Sequence, residues 1–301
     1  MLVATKQTYF EKDCFAKNAR NDTDWDSNRN KYMLKIRVIP VLLLQDDGLV
    51  KTIQFQNPTY LGDPINAVRI FNTKEVDELI LLDIAATLKN KKIPFKLVSR
   101  IAEECFMPLT FGGGVKTLED IKQLLGAGVE KVSINSAAIH NPSFIRQAAE
   151  TFGSQSIIVS LDVKRHPGGT YEIFSEGANR STGMDPVEFA RRMEEYGAGE
   201  IFLNSIDLDG TMNGYDLELI KKISAGVSIP VVACGGAGRI EDFVRAAKEG
   251  GAAAAAAGSF FVFHGRRRAV LISFPMKKEL EELFESNPCP VHSQTNPSKL
   301  I

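Results

Sequence analysis

The chain has 301 residues with 36 Lys and Arg against 37 Asp and Glu, and this balance excludes the basic surface that non-specific nucleic-acid binding requires. A hydrophobic content of 44% with 24 glycines excludes a disordered or fibrous chain and suits a filled core with many tight turns. No run approaches the ~18 apolar residues of a membrane span, and the nearest candidate is the small-residue stretch Ala252 to Ala257.

In chain order, residues 1–32 are polar and lack the basic and apolar regions of a secretory signal, so a disordered or untranslated extension is expected, with Met33 as an alternative start. From there to residue 285, β-branched or aliphatic runs alternate with amphipathic segments. Strands are predicted at Arg37–Leu44, Glu78–Asp83, Met107–Thr110, Lys131–Ile134, Ser156–Asp162, Glu200–Asn204, Ile229–Ala233 and Ala252–Ala257. Asp63-Pro64, Asn141-Pro142 and Asp185-Pro186 each place a side-chain acceptor before a proline at a first helical position. Thr117 to Asp120 has the form of a capping box, and a last helix is expected at Met276–Phe284. Strand followed by helix, repeated eight times in roughly 250 residues, predicts one α/β domain, a (β/α)8 TIM barrel. Residues 286–301, rich in proline and polar side chains, are expected to be a disordered tail.

A shift of 122 positions lays PLTFGGGVKTLEDIKQLLGAG, from Pro108, on PVVACGGAGRIEDFVRAAKEG, from Pro230. Such self-similarity predicts two half-barrel repeats. Each repeat sets a glycine-rich turn after a strand, Gly112 to Gly114 and Gly235 to Gly238, where backbone N–H groups can converge on an oxyanion. Small polar turns follow the next strands, Asn135-Ser136-Ala137 and Gly258-Ser259. Two such cradles on opposite sides of a barrel mouth suit a ligand with phosphate at each end. Asp83, Asp162, Asp207 and Asp209 follow strands on that face, where barrel enzymes keep acid and base groups. Cys14, Cys105, Cys234 and Cys289 form no metal or disulfide spacing with one another or with the four histidines. A reducing, cytoplasmic setting with no metal and no cofactor is therefore expected.

The segments MLKIRVIP, ELILLDI, PLTFGGGVKTLED, KVSINSAAI, FGSQSIIVSLD, GAGEIFLNSIDLDGT, GYDLELI and PVVACGGAGRIEDF resemble the cyclase subunit of imidazole glycerol phosphate synthase from Met33 to about Phe263. The resemblance implies a barrel that uses ammonia from a glutaminase partner to split and cyclise a bisphosphorylated ribulosyl intermediate of histidine biosynthesis. It implies that Asp162 is catalytic, that Gly114, Asn135 and Ser136 hold one phosphate, and that Asp209, Gly210, Gly236, Gly258 and Ser259 hold the other. Arg37, Glu78, Lys131 and Glu200, at strand starts, would form a charged ring gating ammonia entry.

Two departures redirect this expectation. Leu43 stands where that family has its second catalytic aspartate, and leucine cannot transfer a proton. The stretch SFFVFHGRRRAVLISFP also inserts basic and aromatic residues before the last helix. Both resemble paralogues from surface-polysaccharide loci, thought to supply ammonia to a sugar amidotransferase. The leading expectation is an ammonia-conducting barrel in a glutamine amidotransferase complex. A working cyclase would need a substitute acid such as Asp46 or Asp83, and a non-catalytic phosphate-binding scaffold needs neither. Arg266, Arg267 and Arg268 are read as a docking edge or a solvated turn.

Overall fold

The computed structural model describes residues 36–286, so the expected N-terminal extension, the tail beyond Ser286, Cys14 and Cys289 lie outside the described residues. The first strand, β1 (Arg37–Gln45), runs into an antiparallel excursion of β2 (Gly48–Ile53) and β3 (Gln56–Gly62) before α1 (Pro64–Thr73). There follow β4 (Leu79–Asp83), α2 (Phe95–Glu104), β5 (Leu109–Gly112), α3 (Leu118–Gly126), β6 (Lys131–Ile134), α4 (Ser136–His140) and α5 (Ser143–Phe152). The second half comprises β7 (Ile157–Arg165), with an extension of β8 (Tyr171–Ser175) and β9 (Arg180–Ser181), then α6 (Pro186–Glu195), β10 (Glu200–Ser205), α7 (Leu217–Gly226) and β11 (Val231–Cys234). It ends with α8 (Ile240–Lys248), β12 (Ala254–Ala257), α9 (Ser259–Val262), a hairpin of β13 (Phe263–His264) and β14 (Ala269–Val270), and α10 (Lys277–Ser286).

Eight strands, β1, β4, β5, β6, β7, β10, β11 and β12, pair in that order, and pairings of β12 with β1 and of β10 with β7 leave no open edge. All eight are parallel, so the architecture is the closed (β/α)8 barrel expected. Moved by 122 positions, β5 coincides with β11 and α3 with α8. Alternation along β1 explains its unbroken apolar sequence. Val38, Leu42 and Leu44 pack toward the helices, whereas Ile39, Val41 and Leu43 join Ile80, Ile158, Phe202, Val232 and Cys234 in a separate cluster on the barrel axis.

The differences from the predicted elements are local. Asp63 and Asp185 cap α1 and α6 with proline at the first position, and Thr117 with Asp120 makes the capping box of α3. Asn141 does not cap α5. It ends the short α4, a helix unresolved by pattern because it is too brief to show a period, and Pro142 takes the cap position without a side-chain hydrogen bond. The third barrel strand extends through Gly112, later than expected, because that glycine still pairs with Ser133. The β2–β3, β8–β9 and β13–β14 excursions were not predicted, since none contributes to the barrel's period.

Candidate functional site

At the N-terminal end of the barrel, Arg37, Glu78, Lys131 and Glu200 come together from four strand starts. Arg37 donates to Glu78 Oε2 at 2.5 Å and also pairs with Glu200. Lys131 Nζ lies 3.1 Å from Glu78 Oε1 and 3.2 Å from Glu200 Oε2, and Thr110 Oγ1 donates to Glu78 at 3.0 Å. Each buried carboxylate thus touches both cations, the arrangement that desolvated charges require. Burial opposes the Arg37 charge, but Glu200 and Glu78 outweigh it and raise the guanidinium pKa.

Above this ring the axis is apolar, and beyond the apolar layers a cavity of about 660 Å³ opens at the C-terminal ends of the strands. Leu43, Leu82, Asp83, Asp162, Asn204 and Cys234 are among its walls. Leu43 projects inward, in line with Arg37, Ile39 and Val41 along β1. Asp162 ends the inward row of β7, where Asn135 Nδ2 donates to its Oδ2 at 3.3 Å. Burial, and after it the Asp209 carboxylate, pushes the Asp162 pKa up to about 7, the range of a group that exchanges protons at neutral pH.

Neither substitute acid stands free in this cavity. Asp46 lies outside, exposed and paired with Lys89 and Lys91, and its pKa is lowered by hydrogen bonds from those lysines. Asp83 does reach the wall, where Oδ1 accepts from the N–H groups of Ala85 and Ala86 at 2.9 and 3.0 Å. Burial nonetheless raises its pKa.

The two predicted cradles differ. In the first, Gly113 and Gly114 at the end of β5 and Asn135 and Ser136 after β6 are all half-buried and line the cavity. In the second, Gly210, Gly236 and Ser259 are buried, and Gly258 and Asp209 reach the cavity. Among the described residues the N–H groups of Gly114, Ser136, Gly210, Gly236, Gly258 and Ser259 find no acceptor, so both cradles present donors unpaired within that part of the chain. Asp209 departs from its expected part. Its carboxylate is held by Lys51 Nζ at 2.9 and 3.1 Å, and its N–H donates to Ser205 O, so nothing of it is left for an anion.

Asn204 and Glu176 are additions from the structure, while Lys51, retained after Leu43 in the sequence, gains its partners only in the fold. Lys51, buried on β2, also donates to the Thr52 carbonyl at 2.9 Å. Asn204 continues the inward alternation Glu200, Phe202, Asn204 and leaves its buried Oδ1 without a partner among the described residues; that period of two was the available signal. Glu176 enters the cavity wall from the β8–β9 extension. The arginine run divides, with Arg266 and Arg267 exposed and Arg268 turned inward. Among the described residues no group of His, Cys, Asp and Glu could hold a metal ion, and no helix is long and apolar enough to cross a membrane.

The family described as Histidine biosynthesis protein matches residues 37–267. A Pseudomonas aeruginosa protein bearing the provisional name imidazole glycerol phosphate synthase subunit hisF2 is 52% identical over 249 residues, which cover 83% of this chain and 99% of the relative. A Leptospira interrogans protein, provisionally named imidazole glycerol phosphate synthase subunit HisF, is 47% identical over 253 residues, 84% of this chain and all of the relative. The imidazole glycerol phosphate synthase subunit HisF of Alkaliphilus metalliredigens is 45% identical over 218 residues, 72% of this chain and 86% of its own.

Proposed function

The chain belongs to the histidine biosynthesis protein family, and from that membership we propose that it is a cyclase-like barrel that receives ammonia from a glutaminase subunit and conducts it to an acceptor. The acceptor is a sugar of a surface polysaccharide undergoing amidation, through a sugar amidotransferase that docks at the exposed Arg266 and Arg267. The observation that carries this reading is Leu43 on the inner wall of the mouth. Cyclisation needs a proton donor and an acceptor on opposite sides of the substrate, and the β1 side offers only a methyl-lined surface. Conduction needs no acid there. Neutral ammonia crosses an apolar axis, while ammonium would lose its hydration without compensation. The ring of Arg37, Glu78, Lys131 and Glu200 would act as the gate, excluding water when its pairs are closed.

Replacing Glu200 by alanine removes one bridge to both cations. Glutamine-driven product formation in the reconstituted complex should fall while ammonium-driven formation is spared, and unchanged glutamine coupling would refute the gate. With ammonium and the bisphosphorylated ribulosyl intermediate, no imidazole glycerol phosphate should appear. A second reading, an active cyclase of histidine biosynthesis, is favoured by Asp162 with a pKa near 7 and by Asp83 on the same wall. It predicts turnover in that assay, abolished by Asp83→Asn.

A further inference from the structure

We infer that Arg268, carried by the inserted β13–β14 hairpin, is a direct ligand of a phosphate group bound in the second cradle. Its Nη2 donates to the Gly210 carbonyl at 2.7 Å and to Ser259 Oγ at 3.2 Å, which places the guanidinium across two of the turns that form that cradle. The group lies 4.8 Å from the Phe263 ring centroid, and Arg268 itself takes a left-handed φ of 50°. The segment is anchored from below. Phe261 stacks on Phe274 at 5.1 Å and on Phe243 at 5.7 Å, and the N–H groups of Leu271 and Ser273 donate to Val262 and Phe261.

The alternative role, a plug that fills the cradle in place of a ligand, fails on chemistry. A guanidinium has donors only, so it cannot satisfy the unpaired N–H groups of Gly210, Gly236, Gly258 and Ser259. Plugging would leave those groups without acceptors beside a further cation. Ser259, by accepting from Arg268, keeps its own O–H to donate. A site made of N–H donors, one O–H donor and a planar cation is completed by an oxyanion with several acceptor oxygens, and a phosphate monoester supplies them. The first cradle shows no arginine among its partners within the described residues. The cation on the wall at that end is Lys116, so the two ends differ in that only the second has a guanidinium fork among the described residues.

This rests on the reading of both turn pairs as phosphate cradles, so the test must separate the two ideas. Inorganic phosphate is titrated into the full chain while the backbone amide NMR signals of Gly210, Gly236 and Gly258 report the second cradle, and those of Gly114 and Ser136 the first. Arg268→Gln should raise the phosphate concentration that shifts the second set by about 10- to 100-fold and leave the first set in place. Arg268→Lys, which keeps charge but not the fork, should fall between, and it carries the test should Arg268→Gln fail to fold. Equal titrations of the second set in wild type and variants would overturn the assignment of Arg268 while the cradles stand. Tighter binding in Arg268→Gln would overturn it in favour of a plug. No shift of either set in the wild type would overturn the cradle reading itself.

Discussion

The first cradle opens directly into the mouth cavity, whereas the second, formed by the equivalent turns 122 positions later, is buried under a hairpin and braced by an ion pair. The same glycine-rich turn after the same strand thus has two settings. Where solvent can reach, the turn needs only backbone geometry to present its N–H groups. Where it is covered, neighbouring charge has to be fixed by partners, and Lys51 with Asp209 and Arg268 with Ser259 do this. Burial also lowers the local dielectric, so a charge at the second end acts more strongly than one at the first.

The strongest way to break this contrast is Lys51→Met. It strands the Asp209 carboxylate beneath the second cradle and should lower the stability measured by urea unfolding at neutral pH by about 3–5 kcal/mol. Adding Asp209→Asn should recover part of that loss, and a double variant no better than the single would show that the pair does not brace the cradle. Next in size are the turns themselves. A methyl on Gly113 would sit 2.2 Å from the Asp83 carbonyl oxygen and one on its equivalent, Gly235, 2.7 Å from that of Ser205, both at positive φ. Alanine at either should cost about 2–4 kcal/mol, against about 1 kcal/mol at Gly62, where φ is positive but no atom lies near. A large difference between Gly113→Ala and Gly235→Ala would mean that the cradles differ in backbone as well as in cover.

A smaller effect comes from Asp162, between the two cradles. Its folded pKa of about 7 lies above the ordinary carboxylate value, because burial and then Asp209 disfavour the charge. The stability it contributes is fully present below about pH 4 and is lost as pH rises through about 7. Asp162→Asn should therefore flatten the decline of unfolding free energy between pH 5 and pH 8 by roughly 1–3 kcal/mol. An unchanged slope would remove the carboxylate from the proton inventory of the mouth.

The barrel was legible because each of its strands carries its own record of burial. Ile39, Val41 and Leu43 alternate with Val38, Leu42 and Leu44, and both sets are apolar since both faces are covered. The charged ring was legible for the same reason, as charges at Arg37, Glu78, Lys131 and Glu200 start rows that turn inward. What was not legible depends on excursions from the barrel. Lys51 meets Asp209 across 158 positions through the β2–β3 hairpin, and no local period encodes that distance. Arg268 belongs to an insertion with no alternation to follow, so its three-arginine run read as one surface feature when its members face different ways.

The finest difference between the halves lies in the helices that follow the two glycine-rich turns. Thr117 and Arg239 hold equivalent cap positions with nearly the same backbone, φ −133° and ψ 158° against φ −136° and ψ 157°. In both, an aspartate three residues on accepts from the cap N–H at 2.9 Å, Asp120 for α3 and Asp242 for α8. Only Thr117 returns a side-chain bond, its Oγ1 accepting from Asp120 N at 3.1 Å, while Arg239 makes none. Thr117→Ala should therefore cost about 1 kcal/mol, and Arg239→Ser should gain about 0.5–1 kcal/mol by supplying a side-chain acceptor to an Asp242 N–H that now has only the Arg239 carbonyl at 3.2 Å. Urea midpoints of the two variants measure both changes on one scale. A gain at Arg239→Ser that mirrors the loss at Thr117→Ala would show that the turns are interchangeable at the level of the backbone, which leaves the hairpin and the Lys51 pair as the origin of the asymmetry. No gain would place a backbone difference at the helix start itself.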